Sequence, residues 1–456
     1  QSLLFFVIEG IKMLQISFNF EELFFSKFIL RHLRKHIKKI QDHATIKTLI
    51  LNMIFHSLRK LYCEREIQFV SKPANLRNDA LCHFQLSELS ALAAQNLACD
   101  MSLYTSVVRY FCSVLENMQT YRNEKDFISI INVFGTCLCP GLSYFSNNPS
   151  IAGEVWIALK QLDYHVRYRI YKLWEETGLQ RVRHSTRLKT QKALRRLSKE
   201  HPEESGRKIG KIANNNPLIV SRTIVFQVKA YSNMIISIVD SLRYMSLLSF
   251  DTLMYSILKE FTENKEKIKD DGLNSSWFSA LSKFCGHASD RYEAIDIQTL
   301  LQYILNAIRD KQTADLLILK EILQTMSGSR TYENLNKYQI ESLAGGVGLQ
   351  NQAINASNLF TRSKLKSIQR LRFAFKNGSE PLINPFLILM ARNLQSMIFS
   401  SELQSLLILT KALDSYDEIF TQYIEFLQIA YTDDEFKVYI PNFATLEKYY
   451  INPEII

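Results

Sequence analysis

Glycine and proline are scarce in this chain, 14 and 9 in 456 residues. That leaves too few turn-makers for the many short strands and tight hairpins of a β-sandwich or barrel. Cysteine is also sparse. Its seven copies, at 63, 82, 99, 112, 137, 139 and 285, are odd in number and lack disulfide-framework spacing, so a reducing compartment is expected. The apolar runs, such as Leu3 to Ile8, stop far short of the roughly 20 residues that a bilayer span needs. No membrane segment or membrane partner is therefore expected. The chain starts with Gln1 and ends with Ile455 and Ile456, as expected of a piece cut from a larger polypeptide.

Catalytic patterns are missing as well. Gly206-Arg207-Lys208-Ile209-Gly210-Lys211 superficially resembles a phosphate-binding loop. It has three residues between its glycines where that loop needs four, and Ile212 stands where a hydroxyl should hold magnesium. Gly345, Gly346 and Gly348 lack the strand and helix of a dinucleotide fingerprint. Cys137 and Cys139 could share a metal, but no second cysteine pair or nearby histidine completes a tetrahedral site. Cys285 and His287 stand at a spacing that points them to different faces of a helix. The adjacent carboxylates Asp270–Asp271 and Glu203–Glu204 read as helix-start or surface charges. No catalytic residue, cofactor or metal is assigned, and the chain is not expected to be an enzyme.

What is present is helical. Hydrophobic residues make up 47% and charged residues 22%, ordinary values for a folded protein long enough to form two or three packed units or one extended array. Ile297, Leu300, Leu301, Ile304, Leu305 and Ile308 form one helix stripe with Asp296 as its N-cap. Leu316, Leu319, Ile322, Leu323 and Met326 repeat the stripe and end at Ser327 and Gly328, a left-handed C-cap. Joined through Asp310 to Thr313, the two read as an antiparallel hairpin. Upstream, Ile235, Ile238, Val239, Leu242 and Met245 mark another helix. Leu253 to Phe261 mark its successor after a break near Ser249 to Asp251.

Helix pairs thus recur at about 40-residue spacing, the rhythm of HEAT-like arrays. The expected fold is all-α, an irregular HEAT-like helical-repeat solenoid. Loops are expected around Lys72 to Asn78 and Pro140 to Pro149, and a boundary between Ser327 and Asn358. Beyond it, stripes resume at Leu365, Ile368, Leu371 and Phe375, then at Phe386 to Phe399 and Leu403 to Leu413. The expected divisions are 1–180, 181–345 and 346–456.

Charge singles out one segment. The formal net charge is +10, and Arg181 to Lys211 holds eleven Lys and Arg against three Glu. A shorter cluster runs from Arg31 to Lys39. In the longer segment Arg183, Arg187, Arg195 and Arg196 alternate with Val182, Leu188, Ala193, Leu194 and Leu197, which predicts an amphipathic helix with a cationic outer face. The candidate contact residues are Arg181, Arg183, Arg187, Lys189, Lys192, Arg195, Arg196, Arg207, Lys208 and Lys211. Such a face can bind phosphates by releasing counterions, or it can lie solvated and meet an acidic protein partner. Few aromatics interleave there, so base stacking finds no support within it.

Several motifs in order bring a resemblance. They are Ser205 to Lys211, Asn216-Pro217, Val239-Asp240-Ser241-Leu242-Arg243-Tyr244, Ser275-Ser276-Trp277-Phe278 and Phe284-Cys285-Gly286. They continue with Leu300-Leu301-Gln302-Tyr303, Asp315 to Glu321, Met326-Ser327-Gly328 and Gly345-Gly346, and with a weaker echo at Ser367 to Leu371. This series resembles the large scaffold subunit of the THO complex, chiefly over Lys199 to Gly346; residues 1–180 carry no matching motif.

The resemblance implies a nuclear, non-catalytic scaffold that joins the other THO subunits and engages a DEAD-box RNA helicase. Within the larger export assembly TREX, that would serve transcription-coupled messenger ribonucleoprotein assembly and mRNA export, with RNA or ribonucleoprotein as a partner. The family's HEAT-like middle segment, similar to the helicase-binding domain of a translation initiation scaffold, would fall near 181–345. The competing reading is a HEAT-type transport or adaptor protein that binds acidic protein partners.

Overall fold

The computed structural model describes residues 94–118, 124–145, 148–177, 180–197, 202–263, 266–269, 272–328, 362–377, 381–399 and 406–439, with 49–54 and single residues at 10, 90 and 341. Among them the chain is all-α, with one isolated antiparallel bridge between Ile268 and Asn274. The expected loop at Lys72 to Asn78, the cluster at Arg31 to Lys39 and nearly all of the expected boundary at 327–358 lie outside the described residues. Contacts divide the chain into two compact units. One comprises Gln1–Lys192, Lys208–Val220 and Met245–Thr252; the other comprises Ala193–Arg207, Ser221–Tyr244 and Leu253–Ile456.

In the first unit α1 (Met101–Met118) begins at Asp100, whose carboxylate accepts from the Ser102 and Leu103 amides at 3.0 and 3.1 Å. This satisfies two of the orphan donors of the first turn. α1 packs on α3 (Ser150–Leu159), and Arg109 reaches Glu154 at 2.7 Å. Between them α2 (Glu124–Val133) runs into a π turn at Phe134–Leu138 and one further turn at Cys139–Gly141. Pro140 therefore lies in helical structure, directly after the π turn. Of the expected loop, Phe145, Asn148 and Pro149 are the described residues that lie outside helical structure.

The π turn rests on α4 (Tyr164–Glu176), so close that a Cβ on Gly135 would meet the Leu173 Cβ at 2.7 Å. Against the expectation that the apolar runs stop short of such a length, Phe127–Tyr144 is long and apolar enough to cross a membrane by length and composition. It is 61% buried, as a core helix is.

In the second unit α8 (Ile235–Ser241), α10 (Ser276–Arg291), α12 (Leu316–Met326) and α15 (Leu406–Ala430) pack in succession. α11 (Ile297–Arg309) packs on α13 (Arg362–Lys376) and α14 (Ile383–Phe399). Two rows of helices result, the arrangement of stacked hairpins. α12 packs more extensively on α10 than on α11, its expected hairpin partner. Glycine is the reason: a Cβ on Gly286 would stand 2.6 Å from the Glu321 carbonyl oxygen, so only glycine lets the two backbones approach this closely.

The stripe of α11 is buried as expected, and Asp296 caps it by accepting from the Thr299 amide at 3.2 Å. The helix ends with Lys311 at φ 61°, where the Gln312 amide donates back to Ala307 and the Lys311 amide to Ile308, a Schellman arrangement built on a non-glycine residue. Gly328 takes the same left-handed role after α12, with φ 80°. Phe375, Phe386, Tyr423 and Phe426 form an aromatic cluster joining α13, α14 and α15, with ring centroids 5.5 to 6.0 Å apart. Leu365, read as part of the α13 stripe, is 48% exposed.

One boundary is corrected. The expected break near Ser249 to Asp251 falls inside a continuous helix, α9 (Leu247–Thr262). The polar residues there are buried partners rather than punctuation: Ser249 and Thr252 bond backbone carbonyls, and Asp251 receives an arginine.

Candidate nucleic-acid or partner interface

The basic segment forms two helices, α5 (Gln180–Arg195) and α6 (Pro202–Asn215), with 198–201 outside the described residues. α5 contains no acidic residue. Its buried side is Thr186, Thr190, Ala193 and Leu194, continued by Leu197. The Thr190 hydroxyl is satisfied within the helix by donating to the Thr186 carbonyl at 2.9 Å. A stripe partly made of threonine reads poorly by hydropathy, although its period is helical.

The opposite side carries the charge. Arg181, Arg187, Lys189, Lys192, Arg195 and Arg196 are all exposed. Leu188, read as part of the apolar side, is 53% exposed among them. Arg183 is turned elsewhere. Half-buried, it donates to the Trp174 carbonyl at 3.2 Å and to that of Glu175, the last carbonyls of α4. A cation there satisfies orphan acceptors and complements the helix dipole, so Arg183 serves the fold.

α6 starts with Pro202 at its first position and Glu203 and Glu204 in its first turn, which agrees with both the ring's fixed φ and the dipole. Gly206 and Gly210 are buried within this helix. The sequence that superficially resembles a phosphate loop is therefore helix interior with no cradle of backbone amides. A Cβ on Gly206 would meet Tyr244 at 2.9 Å and the Ser241 Cα at 3.2 Å, so this glycine also marks a close backbone approach. Arg207, Lys208 and Lys211 are exposed. Arg207 lies over the Tyr244 ring at 5.7 Å and pairs with Glu203 at 3.3 Å, an exposed ion pair of little energetic weight.

The arrangement presents positive charge that can attract polyanions. Among the described residues no group of three or more His, Cys, Asp and Glu could hold a metal ion. Burial pushes the Cys137, Cys139 and Cys285 thiols upward, and Glu321 adds to the effect at Cys285. Those thiols stay protonated, the opposite of what a nucleophile or metal ligand requires.

The run of dense positive charge stops at Lys211, but the absence of carboxylates does not: no Asp or Glu occurs from Ser205 to Val239. α7 (Pro217–Ala230) lies in that span and carries an exposed Arg222.

Two family profiles match the chain. One described as the THO complex subunit 2 N-terminus covers residues 78–207, and one described as a transcription- and export-related complex subunit covers 209–282. They meet inside α6. The chain is 33% identical over 312 residues to THO complex subunit 2 of Arabidopsis thaliana, covering 66% of this chain and 17% of that protein. To the Homo sapiens protein of that name it is 31% identical over 368 residues, covering 77% and 23%. To the Saccharomyces cerevisiae one it is 24% identical over 335 residues, covering 71% and 20%. The chain spans about a fifth of the length of these curated relatives.

Proposed function

Since this chain belongs to the family of THO complex subunit 2, we propose that it is part of a nuclear, non-catalytic scaffold that holds other THO subunits. Through its stacked helices it organises them, together with a DEAD-box RNA helicase, for transcription-coupled messenger ribonucleoprotein assembly and export. ATP hydrolysis is the helicase's task. Residues 181–345 are the segment we assign to helicase engagement. Residues 1–180 extend the helical array on one side, and 346–456 begin a further one on the other.

The observation that carries this reading is the pair of adjoining family matches, which run through the packed helices and across the cationic segment. Arg181, Arg187, Lys189, Lys192, Arg195, Arg196, Arg207, Lys208 and Lys211 are the proposed contacts to RNA phosphates. A second reading, an adaptor face for an acidic protein, draws on Leu188: an aliphatic side chain exposed among cations suits a protein surface better than a phosphate chain.

The test is a pulldown with this chain from nuclear extract, with and without nuclease. Other THO subunits and a helicase are expected with both treatments, and RNA only without nuclease. Recovery of neither THO subunits nor helicase would remove the scaffold reading. Intrinsic ATP hydrolysis by the purified chain would remove the non-catalytic one.

A further inference from the structure

α13 carries six Lys and Arg and no Asp or Glu in its 15 residues. Half of that charge is used inside the fold. Lys364 pairs with Asp290 at 3.3 Å and Arg372 with Glu435 at 2.7 Å. Arg370 donates to the Asp290 and Tyr292 carbonyls at 3.3 and 2.7 Å, where α10 ends and leaves orphan acceptors. Another side of the helix is turned outward. Lys366, Gln369, Phe373 and Lys376 recur at steps of three and four, which makes them one row on the helix surface, and all are exposed. Phe373 is 64% exposed within this row.

A second wall faces the row. It is Glu293 to Gln298, the connector from α10 with the first turn of α11, and the two walls line a groove of about 660 Å³. The buried Ile295, Ile297 and Ala374 give the groove an apolar lining, to which Phe373 adds an exposed ring. Glu293, Lys366 and Gln369 supply exposed polar groups around it. An apolar centre within a polar rim is the anatomy of a protein interface. The walls are fixed to each other, since the Gln298 side-chain amide donates to the Asn377 carbonyl at 2.7 Å and Arg370 holds the end of α10. A groove built in advance costs little reorganisation on binding.

Charge indicates the occupant. Glu293 is answered by Arg370, Asp296 is engaged as the cap of α11, and Lys376 acts with Arg372 on Glu435. Among the described residues Lys366 makes no ion pair, so the groove presents a lysine beside an apolar lining. Its complement is a carboxylate beside an apolar side chain. A phosphate chain fits less well, because Glu293 and Asp296 on the facing wall would repel it. The backbone groups of α13 are used within the helix, so recognition falls to side chains at helical spacing, as when an amphipathic helix lies in a groove.

We propose that this groove docks an acidic amphipathic helix of a partner protein, with an apolar side chain against Phe373 and a carboxylate on Lys366. Seven positions separate those two residues, about 10 Å along α13. On a helix lying alongside, the apolar anchor and the carboxylate therefore also stand seven positions apart. The inference rests on the scaffold reading only in that the chain meets other proteins, and it adds a surface outside the segment assigned to helicase engagement.

The experiment is a fluorescence-anisotropy titration of the whole chain with two labelled, lactam-bridged helical peptides. Each carries leucines one turn apart and, seven positions beyond the first of them, either glutamate or lysine. The glutamate peptide is expected to bind more tightly than the lysine peptide. Phe373→Ser, a change at an exposed position, is expected to weaken that binding about tenfold or more with an unchanged melting temperature. Lys366→Glu is expected to reverse the preference between the two peptides. No binding of the glutamate peptide, a Phe373→Ser affinity within about twofold of the unmutated chain, or a preference that Lys366→Glu leaves unreversed would overturn the docking site. So would a dimer in sedimentation that Phe373→Ser abolishes, which would give the face to a second copy, or displacement of the peptide by oligouridylate, which would give it to RNA. Failure of the unmutated chain to recover THO subunits from nuclear extract would remove the scaffold reading, whereas the peptide titration decides the groove by itself.

Discussion

The guanidinium of Arg167 grips the carboxylate of Asp251 through two hydrogen bonds of 3.0 Å, Nε to Oδ2 and Nη2 to Oδ1, between residues 84 positions apart. This bidentate pair is nearly buried, the two side chains being 12% and 6% exposed. The Tyr171 hydroxyl donates to the same carboxylate at 2.5 Å, and Arg167 also donates to the Leu162 carbonyl at 2.7 Å. Arg167 further lies over the Trp156 ring at 5.7 Å. The network ties α4 to the start of α9 within the first unit.

Removing one partner of such a pair leaves the other charge buried and uncompensated. Asp251→Ala is expected to lower stability by about 3–5 kcal/mol, read from the denaturant midpoint of the unfolding transition. Changing Arg167 and Asp251 together to Met and Leu should recover most of that loss, because the desolvation cost disappears with the pair. A double variant no better than Asp251→Ala would contradict this account.

Two glycines in helices should respond oppositely to alanine. At Gly286 the added Cβ would stand 2.6 Å from the Glu321 carbonyl oxygen, a backbone atom that cannot swing away. Gly286→Ala is expected to cost about 1–3 kcal/mol by prising α10 from α12. At Gly153, in α3, a Cβ meets nothing within 4 Å, so Gly153→Ala should add about 0.5–1 kcal/mol through helix propensity. Thermal melts of both variants check the opposite signs.

Asp315 gives a pH signature. It is fully buried, and Lys267 donates to its two oxygens at 2.7 and 2.8 Å. Burial pushes its carboxyl above the ordinary value, against the pull of Lys267 and of the Tyr303 hydroxyl. In this case the folded form takes up the proton first as pH falls. Its contribution to stability is thus fully present below the unfolded pKa and is lost as pH rises through the folded one. The gap in unfolding free energy between the unmutated chain and Asp315→Asn should therefore shift in favour of the unmutated chain on acidification. A gap that stays constant from neutral pH down to the unfolded carboxylate range would contradict the raised value.

Periodicity made α11 and α12 readable, since Leu300, Ile304, Leu319 and Ile322 recur at helical spacing and their caps, Asp296 and Gly328, use ordinary cap chemistry. Contacts distant in sequence were not readable. Asp251 looked like a break because a carboxylate inside an apolar run signals solvent unless its partner is known, and Arg167 is far away in the chain. Likewise Arg183 looked like one cation among many, although its partners are the α4 carbonyls just upstream.

The central claim, that the cationic face of α5 meets a polyanion, is tested most directly by the salt dependence of RNA affinity. Arg187, Arg195 and Arg196 are changed together to Glu, while Arg183 is left in place because it caps α4. The account predicts that the slope of log K against log salt becomes shallower by about 0.7 for each single-strand phosphate no longer neutralised, so a shift of about 2 is expected if all three arginines engage. An unchanged slope together with unchanged affinity would contradict it.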